Sequence, residues 1–307
     1  MPDLTQTAPP APDPEPAAPS PAPPAEAVPA SPAQDLAALR EGIDRIDDAM
    51  HDLMMRRAGL AATMAASRVK ASGHTFRPAR EAAILRRLLA RHAGPLPRAV
   101  LVRLWREIIA SSLAQQGPFS MAAPGGMDGA AARLARGHFG LLIPLKLHPT
   151  SSRVLSAVAA GEASVAILPA PEDGEPAEAA WWMQMEAPRL QVVAALPFLA
   201  DKDSTVPQAY AIAGFAPEPT GQDRTLLRVE PEPEHNRARI AAALSAIGLP
   251  PRWLLRRDQP APMALAEVDG FITPGDPRLA DLPFPRIQIL GAYAEPSSEP
   301  KAEETPA

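Results

Sequence analysis

Five polar side chains stand where a helical period calls for apolar ones. Between 35 and 117, apolar residues recur at Leu36, Leu39, Ile43, Ile46, Met50, Leu53, Leu60 and Met64, in steps of three and four. The step after Leu53 falls on Arg57. Arg68 lies eleven residues further on, close to a whole number of turns, so the two arginines point the same way. Glu81 heads a second stripe of Ile84, Leu85 and Leu88. Leu104, Ile108, Ser112 and Gln116 are spaced by four, so the last two continue an inward face. Each has a plainer role when taken alone. Arg57 can snorkel from the edge of its stripe, Glu81 can complement a helix N-terminus, and Ser112 and Gln116 can be a solvated helix end. Together they place more cations than anions on inward faces, where an unpaired charge costs several kcal/mol. An anionic ligand would balance that excess. Arg40 sits about 100° around the helix from Arg57, a direction suited to a site on a neighbouring chain.

Three helices must position these groups. The first stripe runs about 35 residues, roughly 50 Å at the helical rise, and ends near Gly73 and Pro78. A second helix is predicted over 79–92, with Ile84, Leu85, Leu88 and Leu89 inward, before Gly94-Pro95. A third is predicted over 97–115, with Val100, Leu101, Leu104, Trp105, Ile108 and Ile109 inward, before Gly117-Pro118. The length of the first helix suggests a coiled-coil-like or intertwined assembly. Residues 118–294 change to α/β patterning. Strands are predicted at 164–168 and 191–196, with a helix at 152–160, and 225–271 reads β-α-β-β. The division is therefore a Pro/Ala-rich tail (1–33), a helical domain (34–117), α/β regions at 118–215 and 222–294, and an acidic tail (295–307).

Composition removes several function classes. Of 307 residues 40 are Pro and only 4% are aromatic, so one compact domain does not span the chain. The tail at 1–33 cannot bury enough surface to offset its entropy. The absence of cysteine removes disulfides and thiolate chemistry. A net charge of -5 argues against nucleic acid. No apolar run can span a bilayer and no signal peptide is visible, so no membrane association and a cytoplasmic location are expected. The six histidines are scattered without metal-ligand spacing, and Gly125-Gly126 and Gly129 make no phosphate loop. No metal or cofactor is expected.

On four stretches, residues 35–117 resemble the all-helical chorismate mutase domain that begins bifunctional chorismate mutase–prephenate dehydratases. They are DLAALREGIDRID from Asp35, RRAGLA from Arg56, RPARE from Arg77 and REIIASSLAQQ from Arg106. The resemblance implies an intertwined three-helix homodimer that converts chorismate to prephenate. By the same resemblance Arg40 and Arg57 bind the two substrate carboxylates, the former from the partner chain. Gln116 meets the ether oxygen, Glu81 holds the ring hydroxyl, and Arg80 and Ser112 support the pocket. The family's ether-oxygen lysine falls at Arg68, and an Asp three residues before the Arg-Glu pair is Arg77 in this chain. Residues 118–294 resemble a shortened prephenate dehydratase region followed by an ACT-like βαββ end. The dehydratase signature residues are replaced, Ala170-Pro171-Glu172 standing where Glu-Asn-Ser would, so dehydratase activity is not expected. The rival reading is a non-catalytic helical dimer that binds a dicarboxylate or a partner enzyme in a regulatory role.

Overall fold

The computed structural model describes residues 36–68, 74–200 and 206–298. The tail expected at 1–33, and the break expected at Gly73, lie outside the described residues. The chain divides into two compact units, Met1–Met54 and Met55–Ala307, and the first helix runs through the boundary.

Helix α1 (Leu36–Arg68) is 33 residues long and built from strong helix formers, with no proline. Its apolar stripe is exposed, Ile46 at 61% and Leu53 at 64%. Helix α2 (Pro78–Arg91) opens on a proline at its first position and carries Glu81 in its first turn. Helix α3 (Arg98–Gln115) follows Pro97. Leu85, Leu89, Leu101 and Val102 pack between α2 and α3 and against Phe198 of the α/β region. Full burial of each such leucine is worth about 2 kcal/mol. Leu85 and Leu89 are inward as the pattern predicts, but Val100 and Leu104 are exposed at 40% and 45%. The inward face of α3 is Leu101, Val102, Arg106, Ile109 and Leu113, which keeps Leu101 and Ile109 from the predicted face and adds Val102, Arg106 and Leu113.

The rest of the described residues form a mixed sheet of nine strands with helices on it, and a separate two-stranded sheet. Strand β1 (Met121–Pro124) leads through α4 (Ala130–Phe139) to β2 (Leu145–His148), then through α5 (Ser151–Ala159) to β3 (Val165–Pro169). β1 pairs in parallel with both β2 and β3, as helical crossovers require. A short helix α6 (Trp181–Gln184) precedes β4 (Gln191–Leu196), β5 (Leu199–Ala200) and β6 (Ala209–Ala213). β6 lies antiparallel between β3 and β4. Trp181 and Trp182 are core residues whose ring N–H groups donate to the Pro169 carbonyl and the Glu175 carboxylate.

Then follow β7 (Asp223–Glu230), α7 (Arg237–Ala246), β8 (Pro251–Arg257), β9 (Met263–Asp269) and β10 (Arg286–Ala294). Their order β10-β7-β9-β8, all antiparallel, is that of a split β-α-β arrangement. A 3-10 turn at Pro277–Asp281 stands between β9 and β10. The two stretches separated in the sequence reading share this sheet, whose full order is β2-β1-β3-β6-β4-β10-β7-β9-β8. They join at Gly291 of β10, which pairs in parallel with Val192 of β4. Gly291 has φ 144°, and a Cβ there would lie 2.1 Å from the Val192 carbonyl oxygen. Of the tail expected at 295–307, the structure describes residues 295–298, and these are tied to the fold. Glu295 pairs with Arg224 at 2.5 Å, and β11 (Ser297–Ser298) pairs with β5. No helix among the described residues is long and apolar enough to cross a membrane.

Candidate active site

The C-terminal half of α1, the start of α2 and the end of α3 enclose a cleft of about 270 Å³. Arg57, Arg77, Arg80, Glu81, Ser112 and Gln116 all line it, so six of the eight candidate residues come together. Arg40 belongs to the first unit. Arg68 is the last residue of α1, and its side chain lies outside what is described.

Arg57 is the fixed point of the cleft. Its Nη1 donates to Ser112 Oγ at 2.8 Å and to the Ile108 carbonyl at 3.4 Å. Ser112 Oγ also donates to the Ile108 carbonyl at 3.0 Å, so the serine aligns the guanidinium and is not set up as a nucleophile. Burial lowers the Arg57 pKa from its ordinary value, but an arginine stays charged at any physiological pH. Gln116 closes α3, and its Nε2 donates to the Ser112 carbonyl at 3.0 Å. Arg77 is held bidentately by Glu218, at 2.9 Å to each carboxylate oxygen, in an exposed pair. Arg80 is exposed and makes no ion pair among the described residues.

Glu81 is buried, and its Oε2 meets Arg106 Nη1 at 2.7 Å. Burial raises the Glu81 carboxyl from 4.5 to about 7, against the opposing pull of Arg106. Arg106 stacks over the Phe198 ring at 5.5 Å. The buried His138 adjoins it, held neutral by desolvation and by the Arg106 charge. Arg106 answers the charge of Glu81, so among the described residues no acid in the cleft balances Arg57 and Arg80. Arg106 is not among the residues expected in the site. The signal was present: Val102, Arg106, Ile109 and Leu113 recur at steps of four, three and four, the same charged intrusion that marked Arg57. The predicted stripe runs instead through Leu104. His138 carried no such signal, because only the packing of α4 on α3 brings it to Arg106.

The cleft is cationic, with Arg57, Arg77 and Arg80 against Glu81 in its lining, and no cluster of metal-ligating residues occurs among the described residues. Residues 39–117, which carry the cleft, match the chorismate mutase type II family. The chain is 36% identical over 146 residues to a bifunctional chorismate mutase/prephenate dehydratase of Stutzerimonas stutzeri, covering 45% of this chain and 40% of that protein. The protein of the same description from Pseudomonas aeruginosa is 33% identical over 141 residues, covering 44% and 38%. The chain thus spans about two fifths of the length of these curated relatives. Among solved structures, a prephenate dehydratase from Streptococcus mutans superposes with a TM-score of 0.42 at 14% identity, over 57% of this chain and 98% of that one. A structure described as "GqqA- a novel type of quorum quenching acylases" gives 0.44 at 19%, over 58% and 96%. Neither likeness is close enough to bear on fold or function.

Proposed function

We propose that this protein is a chorismate mutase, converting chorismate to prephenate in a site assembled from two copies of the helical segment. The observation that carries the reading is the unbalanced positive charge of the Arg57–Arg80 cleft, in the very segment that matches the chorismate mutase family. Chorismate is a dicarboxylate, and its rearrangement is pericyclic, needing no nucleophile or base. What accelerates it is restraint of the reactive diaxial conformer. Arg57, aligned by Ser112, clamps one carboxylate bidentately. Arg40 of a second copy takes the other. The exposed apolar stripe of α1 supplies the surface on which that copy packs. As the C–O bond breaks, negative charge grows on the ether oxygen, where Arg68 and Gln116 stabilise it. Glu81 accepts the ring hydroxyl, and Arg80 and Arg77 flank the entrance. A millionfold acceleration needs only about 8 kcal/mol, within reach of a clamp and an electrostatic pair.

The test is loss of chorismate absorbance with prephenate identified as product. Arg57→Ala is expected to lower kcat/KM at least about a hundredfold, about 2.7 kcal/mol of lost transition-state binding. Folded protein that leaves chorismate intact, or an Arg57→Ala variant as active as the parent, would overturn the proposal.

A further inference from the structure

Arg106 also lines a second, larger cavity of about 510 Å³ between α3, α4 and the turn Pro197–Leu199. That volume falls within the range of small-molecule sites, about 300–1,000 Å³. Val102, Leu134 and Phe198 make its lining apolar. Three further arginines line it, Arg103, Arg133 and Arg136, against a single carboxylate, Glu107. The chain as a whole carries a net charge of -5, so this clustering of cations runs against the average of the molecule. Arg133 gives a donor to the Asp128 carbonyl, and Arg136 to the carbonyls of Leu141 and Ile143. Each guanidinium has five donors, so most of theirs remain available. Arg103 is exposed and has no partner among the described residues. His138, in the same wall, is 7% exposed with neither ring nitrogen hydrogen-bonded, an exception to the pairing of buried polar atoms.

We infer that this cavity binds a small amphiphilic monocarboxylate, its apolar body against Val102, Leu134 and Phe198 and its carboxylate among the three arginines. The chemistry differs from that of the mutase cleft. The larger cavity has an apolar floor for a ring or branched chain, and Glu107 disfavours a second negative charge. Nothing in the relatives' descriptions or in the proposed mutase reaction uses this site. Its wall is nevertheless shared with the cleft through the Glu81–Arg106 pair.

The experiment is calorimetric titration of the full chain with 3-phenylpropanoate, beside the neutral 3-phenylpropan-1-ol and acetate. The aryl carboxylate is expected to bind with a Kd on the order of 1 mM or tighter, and both controls at least about tenfold more weakly. Arg103→Glu, at an exposed position without partners, should weaken binding about tenfold or more. Gly137→Leu should block the cavity from α4. A Cβ at Gly137 meets nothing within 4 Å, and leucine favours the helix, so the fold should hold. Arg57→Ala should leave binding unchanged. Equal binding of the alcohol, no heat with the carboxylate, or retention of affinity in both cavity variants would overturn the inference. So would loss of binding in Arg57→Ala, which would place the probe in the mutase cleft.

Discussion

Glu81 faces the Arg57 cleft on one side and the buried Arg106 on the other, so its protonation is where the chemistry of the site is most open to test. Burial lifts its carboxyl to about 7, and Arg106 is the charge that restrains the rise. The folded protein therefore keeps a proton that the unfolded chain releases at about 4.5. The stability Glu81 contributes is full below that value and is lost as pH rises through about 7. In the proposed mutase reaction activity should run the other way, because the ionised carboxylate is the better acceptor for a ring hydroxyl. The kcat/KM profile should rise through an acid limb near pH 7. Arg106→Gln should move that limb to higher pH, and Arg106→Lys should restore most of it. A limb unmoved by Arg106→Gln would reduce that arginine to a packing role. Arg106 and Arg57 are alike in being cations on an apolar helical phase, and both were legible in the sequence by that criterion. The pairing of Arg77 with Glu218 was not, since 141 residues separate them.

The elements that position the site were legible because their signals are local. The three-four spacing fixed α1, and prolines and glycines marked the ends of α2 and α3. The β-α-β-β run was equally readable, with β7, α7, β8 and β9 following in that order from Asp223 to Asp269, against 225–271 expected. The join between the two α/β stretches was not readable, because it rests on a single bridge between residues about 100 apart, Val192 and Gly291. Gly291 combines a positive φ with a backbone approach that no side chain fits. Gly291→Ala should therefore destabilise the sheet by more than about 2 kcal/mol, a drop in Tm of several degrees. An unchanged melting curve would mean that β4 and β10 do not meet this closely. The face of α3 was misassigned at Val100 and Leu104 because apolar periodicity shows which residues seek cover, not which element of which copy supplies it.

At the scale of the whole molecule the unspent feature is the apolar stripe of α1, exposed from Leu36 to Met64. A monomer rarely leaves so much contiguous apolar surface in water. A two-fold dimer covers the same patch on each copy, and it makes each cleft depend on both chains. Arg40 and Arg57 would then serve different copies at any one site. The decisive measurement is complementation between two inactive proteins, Arg40→Ala and Arg57→Ala, mixed and allowed to exchange subunits. Each alone should consume almost no chorismate. The mixture should recover about a quarter of the parent rate, since half the dimers are mixed and each mixed dimer has one intact site of two. A mixture as inactive as its parts, formed from variants that do exchange subunits, would contradict a site shared between copies.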